Sequence, residues 1–186
     1  MTVLASLINQ RVSNRLASTV LMAGAGALAI MAASQIAIPL PFTPVPITLQ
    51  TFAVVTFAMV AGRRHGVNAV IAYLLAGALG APVFSGFSSL TALWGPTSGY
   101  LLGFIPAAFV AGSLADRGMT RSYPGAMMSA LAANTLIVLC GALVLSAFVG
   151  FSNIWALGVV PFLAGDVIKS IAAGSIARAA HRKQTV

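Results

Sequence analysis

Acidic side chains are almost missing from this chain of 186 residues, which contains two aspartates, Asp116 and Asp166, and no glutamate. Charged residues of both signs make up only 6% of the sequence, whereas they make up about 25% of a soluble domain. Hydrophobic residues account for 59% of it. This composition excludes an ordinary soluble protein. It predicts an integral membrane protein in which residues 1–186 form a single membrane domain.

Residues that commonly carry chemistry are also scarce. Cys140 is the single cysteine and lies in an apolar run, which excludes an intrachain disulfide and a thiolate metal cluster. The two histidines, His65 and His181, fall outside the apolar runs, so no serine–histidine dyad can form within the membrane. The glycine-lysine motif of an ATP-binding P-loop does not occur. We therefore expect no enzyme activity, no cofactor and no metal, and any uphill transport needs an ion gradient or a partner protein.

Long apolar runs are abundant by contrast. They are too long and too continuous for the strands of a membrane barrel, so each predicts a transmembrane helix. The predicted fold class is all-α, a polytopic membrane protein with six transmembrane helices. The six predicted spans are Leu16–Ile38, Ile47–Gly62, Val67–Phe84, Thr97–Ala115, Pro124–Val149 and Trp155–Ala177.

Basic residues mark one side of these spans. The connections on the other side, residues 39–46, 85–96 and 150–154, contain no charged residue. The positive-inside rule therefore predicts that both termini are cytoplasmic. The basic residues occur singly or in pairs beside the apolar runs, which is typical of topology signals and disfavours nucleic-acid binding. The nine basic residues on this side are Arg11, Arg15, Arg63, Arg64, Arg117, Arg121, Arg178, Arg182 and Lys183.

Two of the uncharged connections have a distinctive composition. Residues 39–46 contain four of the nine prolines, which predicts a stiff, extended segment that cannot continue a helix. Aromatic residues lie in or beside the outer connections, and they form either an interfacial belt or a lid over a pocket. The aromatic candidates for a lid are Phe42, Phe84, Trp94 and Tyr100.

The tenth basic residue, Lys169, lies with Asp166 inside the last apolar run. Asp166 is expected about 16 Å into this span, near the middle of the bilayer. Lys169 follows one turn later on the same helix face. The pair is either a salt bridge that holds helices together or a functional site. The second interpretation is favoured because ionisable residues inside a membrane are costly and usually functional.

Two amide side chains extend this polar set. Gln50 opens the second span and Asn134 lies in the middle of the fifth. Each is either an interhelical hydrogen-bonding group or a ligand contact. Together with Asp166, Lys169 and Tyr100 they provide donors and acceptors with little net charge. Such a site suits a neutral polar ring system better than an ion.

Small residues crowd the first span, in "LASTVLMAGAGALAIMAAS". Ala23 and Ala27 are four residues apart and therefore lie on one helix face. Rows of this kind let another helix approach closely. The row serves either internal packing or docking to a separate membrane protein.

Four segments give the chain a specific resemblance. The segments "IPLPFTPVPITLQTFAV", "GALGAPVF", "PTSGYLLGF" and "GDVIK" resemble the BioY family across nearly the whole chain. Members of this family are substrate-binding S components of biotin transporters of the energy-coupling-factor (ECF) type. The resemblance implies a six-helix protein of a bacterial plasma (inner) membrane that captures biotin from outside. Its implied partners are a membrane coupling protein, the T component, and ATP-binding-cassette (ABC) ATPases.

The resemblance also implies roles for individual residues. Asp166 accepts hydrogen bonds from the ureido N–H groups of biotin, and Lys169 or Asn134 donates one to its carbonyl. The aromatic residues named above cover the apolar thiophane ring and chain. The alternative is a proton-coupled secondary transporter of a small polar or heterocyclic solute that uses Asp166 as a relay. A structural or assembly protein with an inert salt bridge is a third interpretation.

Overall fold

The computed structural model describes residues 15–182, and helices dominate it. A short antiparallel pairing of β1, Ala37–Ile38, with β2, Ile47–Thr48, follows the first helix. A π-helical turn, Trp155–Val159, leads directly into the last helix. The helices in chain order are α1 (Arg15–Ser34), α2 (Gln50–Ala61), α3 (Arg63–Ala78), α4 (Ser98–Asp116), α5 (Tyr123–Val149) and α6 (Val160–Arg182).

Four helical stretches in the described part are long and apolar enough to cross a membrane. They belong to α1, α4, α5 and the combined π-helical turn and α6. Helix α2 is apolar but has 12 residues, which gives it a length of about 18 Å. The predicted all-α fold is thus confirmed, with four stretches that could cross a membrane.

Several boundaries of the predicted spans differ from the structure. Helix α2 begins at Gln50 and not at Ile47, because Ile47 and Thr48 form β2. Helix α3 begins at Arg63 and not at Val67, and α6 continues to Arg182, past the predicted end at Ala177. Helix α1 ends at Ser34 and not at Ile38, because the chain turns there into the β1–β2 pairing. Helix α3 ends at Ala78 and not at Phe84. The physical reason is local, since Gly80 has a positive φ of 94° and Pro82 follows it. Helices α4 and α5 begin and end within one residue of the prediction.

Small residues allow the helices to pack closely. Gly26 of α1 lies so near to Ala69 and the Phe57 ring that a Cβ atom at this position would clash with both. Helix α1 therefore packs on α2 and α3 through a face that includes Met22, Gly26 and Ile30. At the centre of the molecule, alanines supply much of the contact between α2, α4, α5 and α6. They include Ala58, Ala107, Ala111, Ala130, Ala133 and Ala173, all fully buried.

One end of the molecule gathers the basic residues, as predicted. The backbone N–H of Arg63 donates to Asp116 Oδ2 at 3.1 Å, so the turn before α3 lies beside the end of α4. The Arg63 guanidinium also stacks over the ring of Phe109, 5.4 Å from its centroid. Arg121 lies close enough to His181 for their charges to interact. Arg11 and Lys183 lie outside the described residues.

Candidate functional site

A cavity of about 250 Å³ lies towards the opposite, uncharged end. Its volume is close to the lower end of the range for small-molecule pockets, about 300–1,000 Å³. Residues 44–46 and the segment 84–92 line its outer part, while α2, α4, α5 and α6 form the rest of its wall. Apolar side chains dominate these walls. They include Val45, Phe84, Leu101, Phe104, Ile137, Val138 and Phe162.

Asp166 and Lys169 face the cavity from α6. Lys169 Nζ lies 3.7 Å from Asp166 Oδ1 and donates a hydrogen bond to Thr51 Oγ1 of α2 at 3.1 Å. Both charged residues are buried, at 6% and 9% exposed. Lys169 is the one charged partner of Asp166 among residues 15–182. Since a carboxylate offers about four lone-pair sites, Asp166 retains acceptor capacity towards the cavity.

The sequence of α6 explains why this pair faces inward. Phe162, Asp166, Lys169 and Ala173 recur at intervals of three and four residues, and all are buried. Residues at such intervals share one face of a helix. The exposed residues between them include Leu163, Val167 and Ile168, which suit a lipid-facing surface. The polar pair therefore occupies the inward stripe of a helix whose outward stripe is apolar.

Tyr100 ties the wall of the cavity to the π-helical turn. Its hydroxyl donates to the carbonyl oxygen of Gly158 at 2.7 Å. Its ring packs against Phe162, with 5.5 Å between the ring centroids. The ring lies so close to Gly141 of α5 that a Cβ atom there would clash with it. Tyr100 is thus held rigidly and presents an aromatic surface to the cavity.

Gln50 and Phe84 complete the predicted residues that line the cavity. Gln50 is 4% exposed, and its side-chain amide has no hydrogen-bond partner in the described part of the chain. Because Gln50 lines the cavity, its amide is available to a ligand. Phe84 is buried and packs edge-on against Tyr73 at 5.2 Å.

Three other predicted residues do not line the cavity. Asn134 is buried behind its wall, where Nδ2 donates to Ser170 Oγ at 2.9 Å and Oδ1 has no partner among the described residues. Phe42 and Trp94 are 56% and 80% exposed at the same end of the molecule. That exposure is typical of an interfacial aromatic belt. A contact of these residues with substrate stays a prediction.

The small-residue row of α1 lies away from the cavity. Ala23 and Ala27 are half-buried, and Ala27 packs against the hydrophobic core. They border the buried face that contains Gly26. Docking of this row to a partner also stays a prediction.

Several lining residues were missed by the sequence analysis. Thr51 follows Gln50 directly, but its contact with Lys169 joins two helices that are far apart in sequence. Phe162 precedes Asp166 by four residues, so the helical period could have identified it. The outer part of the cavity also contains three unpredicted hydroxyl residues, Ser85, Ser88 and Thr97.

The arrangement favours binding over catalysis. An apolar chamber with one carboxylate, one ammonium group and one free amide can hold a solute that has both polar and apolar parts. Within residues 15–182, no group of three or more His, Cys, Asp or Glu side chains is placed to hold a metal ion.

Comparison with known proteins agrees with this description. The BioY family model matches residues 5–185. A probable biotin transporter BioY of Pyrococcus horikoshii is 42% identical over 135 residues, covering 72% of this chain and 79% of that protein. The biotin transporter BioY of Thermotoga maritima is 42% identical over 142 residues, covering 75% and 83%.

A solved structure shares the fold. The crystal structure of the S-component for biotin from an ECF-type ABC transporter superposes with a TM-score of 0.81. The superposition covers 92% of this chain and 94% of that one, at 24% sequence identity.

Proposed function

This chain belongs to the BioY family, and on that premise we propose that it captures biotin with high affinity for uptake. It does so as the substrate-specific membrane subunit of an ECF-type ABC transporter. Relatives described as biotin transporters, each 42% identical over about three quarters of this chain, support the substrate. The chain is a transport protein and not an enzyme.

One observation carries the match to biotin. The cavity combines the Asp166 carboxylate, which keeps free acceptor sites, with apolar and aromatic walls. Biotin has a neutral ureido ring with two N–H donors and one carbonyl, fused to an apolar thiophane ring that carries an aliphatic chain. The polar part of the cavity can take the ureido ring, and the apolar part can take the rest.

The residues then have separable roles. Asp166 accepts from the ureido N–H groups, and Lys169 donates to the carbonyl oxygen while it offsets the cost of burying Asp166. Gln50 supplies a further donor and acceptor. Tyr100 and Phe84 pack on the apolar rings.

Three further residues have less direct roles in this proposal. Asn134 supports the ureido end from behind the wall of the cavity, through its bond to Ser170. Phe42 and Trp94 close over the outer mouth when ligand is bound.

The proposed topology has six spans in the plasma membrane. Both termini lie in the cytoplasm. Helices α2 and α3 are the short spans of this arrangement. The basic end of the molecule faces the cytoplasm because positively charged connections are retained on that side. The cavity then opens towards the outside, where biotin is captured.

The proposed partners are a membrane coupling protein (the T component) and ABC ATPases. The likeness to an S-component of an ECF-type ABC transporter supports this assembly. The half-buried row of Ala23 and Ala27 is the proposed contact of α1 with the coupling protein, because small residues permit a close approach of helices.

An uptake assay tests the proposal. Cells that lack other biotin transporters should accumulate labelled biotin when they produce this chain together with its T component and ATPases. Loss of uptake with an inactive ATPase, at a normal proton gradient, supports the proposal. Uptake that an uncoupler abolishes while cellular ATP stays normal would instead favour the proton-coupled alternative.

A further inference from the structure

A single side chain joins the proline-rich segment 39–46 to the far end of the sequence. Thr43 Oγ1 donates a hydrogen bond to the carbonyl oxygen of Leu157 at 2.9 Å. Thr43 is 8% exposed, so this bond is largely shielded from water. Leu157 lies in the π-helical turn before α6, next to the carbonyl of Gly158 that Tyr100 binds.

Pro161 explains why the Leu157 carbonyl is available. In an α-helix, the N–H of residue 161 would donate to the carbonyl of residue 157. Proline has no N–H, and its ring disfavours the normal approach of that carbonyl. The π-helical geometry of Trp155–Val159 accommodates the mismatch. A side chain from another segment can therefore bind the carbonyl that lacks its α-helical donor.

Segment 39–46 has few hydrogen bonds to the rest of the molecule. Pro44, Val45 and Pro46 line the cavity, and Val45 is buried against the core. Among the hydrogen bonds of the described residues, the one from Thr43 is the only bond that joins segment 39–46 to another element. Four prolines in the segment lack an N–H group, which limits its other means of attachment.

The other segment that lines the outer part of the cavity, residues 83–92, is held by several hydrogen bonds. Ser34 Oγ and Tyr73 OH both donate to the carbonyl of Val83, at 2.8 Å and 3.2 Å. Gln35 Nε2 donates to the carbonyl of Phe84 at 3.0 Å, and Gln35 Oε1 accepts from the N–H of Phe87 at 3.3 Å. This side of the cavity is therefore a fixed wall with several independent attachments.

From this contrast we infer that Thr43 is a positioning residue for substrate retention. Its hydroxyl holds segment 39–46 against the π-helical turn, and the bond must break before the segment can move away from the cavity. The inference rests on the proposed function, because it assumes that biotin occupies this cavity. The bond acts on the release of biotin and not on the polar contacts made by Asp166.

Measurement of biotin release tests the inference. The purified full-length protein is loaded with labelled biotin and chased with unlabelled biotin. Replacing Thr43 by Val removes the hydroxyl and keeps the shape, and should speed release about fivefold with association unchanged. Thr43→Ser keeps the donor and should release biotin at the wild-type rate. The matched control is Thr135→Val, which removes a hydroxyl that bonds only within α5, to Leu131.

Pro161→Ala provides an independent route to the same bond. The new N–H at position 161 can claim the Leu157 carbonyl, so release should also become faster. Combining it with Thr43→Val should add nothing to the effect of Thr43→Val, because both changes remove the bond to Leu157, while only Thr43→Val also removes the weaker bond from the Val45 N–H. If Thr43→Val fails to fold, Pro161→Ala alone decides between the outcomes.

Two results would count against the inference, and they are distinguishable. Normal biotin binding with release rates of Thr43→Val and Pro161→Ala within twofold of Thr135→Val would overturn the role of Thr43 alone. Absence of biotin binding by the wild-type protein would overturn the proposed function, and this inference with it.

Discussion

A carboxylate is costly to bury, and the two that this chain contains are placed very differently. Asp116 lies exposed at the end of α4, where it accepts the backbone N–H of Arg63 and so satisfies one free donor at the start of α3. Asp166 is buried beside a cavity, where one lysine is its charged partner among the described residues. The first placement stabilises a helix end. The second makes sense if a ligand supplies the missing donors.

We expect Asp166→Asn to weaken biotin binding by at least ~2–3 kcal/mol, which is about 30–150-fold. Asparagine keeps the shape but turns one acceptor oxygen into a donor that would face a ureido N–H. It also leaves Lys169 without its counter-charge. Calorimetric titration of folded variants measures the effect, which should exceed that of Gln50→Ala. Binding of Asp166→Asn within twofold of wild type would return the pair to a purely structural role.

Asp116→Ala should lower the stability of the protein and leave its biotin affinity nearly unchanged. It removes a helix-terminal hydrogen bond, which is worth about 1 kcal/mol. The apparent Tm of the purified protein should therefore fall by about 2–4 °C. Biotin affinity should stay within twofold of wild type, because Asp116 lies at the other end of the molecule from the cavity. A large loss of affinity without a change in Tm would contradict this assignment.

At the scale of the elements, hydropathy predicted the long helices well. The ends of α4 and α5 follow from local signals, such as Gly118 with a positive φ after α4 and the Ser122 side chain that caps α5 at Gly125. The ends of α1 and α3 were misplaced, because the apolar residues that follow them continue into a strand pairing and a loop. Hydropathy does not distinguish those conformations from helix.

The candidate site was predictable only in part. Asp166 and Lys169 stand out in the sequence because they are ionisable residues in an apolar run. The contact of Lys169 with Thr51 and the bond from Thr43 to Leu157 join segments separated by 118 and 114 residues. Such contacts depend on how the helices assemble, and no local pattern encodes them.

The half-buried alanine row of α1 yields a prediction about assembly. Ala23→Trp should reduce co-purification of the T component, because the bulky ring prevents close approach of a partner helix. Biotin binding should stay within twofold of wild type, since Ala23 lies away from the cavity. Ala132→Trp, at an exposed position of α5, is the matched control. Equal co-purification of both variants would contradict docking through this row.

At the scale of the whole molecule, charge and chemistry are separated between two ends. The described arginines of the connections gather at one end, while the cavity lies towards the other. This polarity fits a protein that is anchored by its basic side and receives its ligand from the opposite side. The proposed orientation follows from it.

Labelling of single cysteines in intact cells should confirm the orientation. In a Cys140→Ala background, an impermeant thiol reagent should label Phe151→Cys, an exposed position in the connection before the π-helical turn. It should not label Arg63→Cys or Arg117→Cys unless the cells are opened. Labelling of position 63 from outside would show that the orientation is the reverse of the proposed one.

The central claim is that this chain, by itself, forms the biotin site. The most direct test is calorimetric titration of the purified full-length protein with biotin, in the absence of the T component and the ATPases. We predict saturation at one biotin per chain with a Kd below about 1 μM, or about −8 kcal/mol. A cationic heterocycle such as thiamine should give no saturable binding. Failure to saturate with biotin, or equal binding of both compounds, would contradict the account.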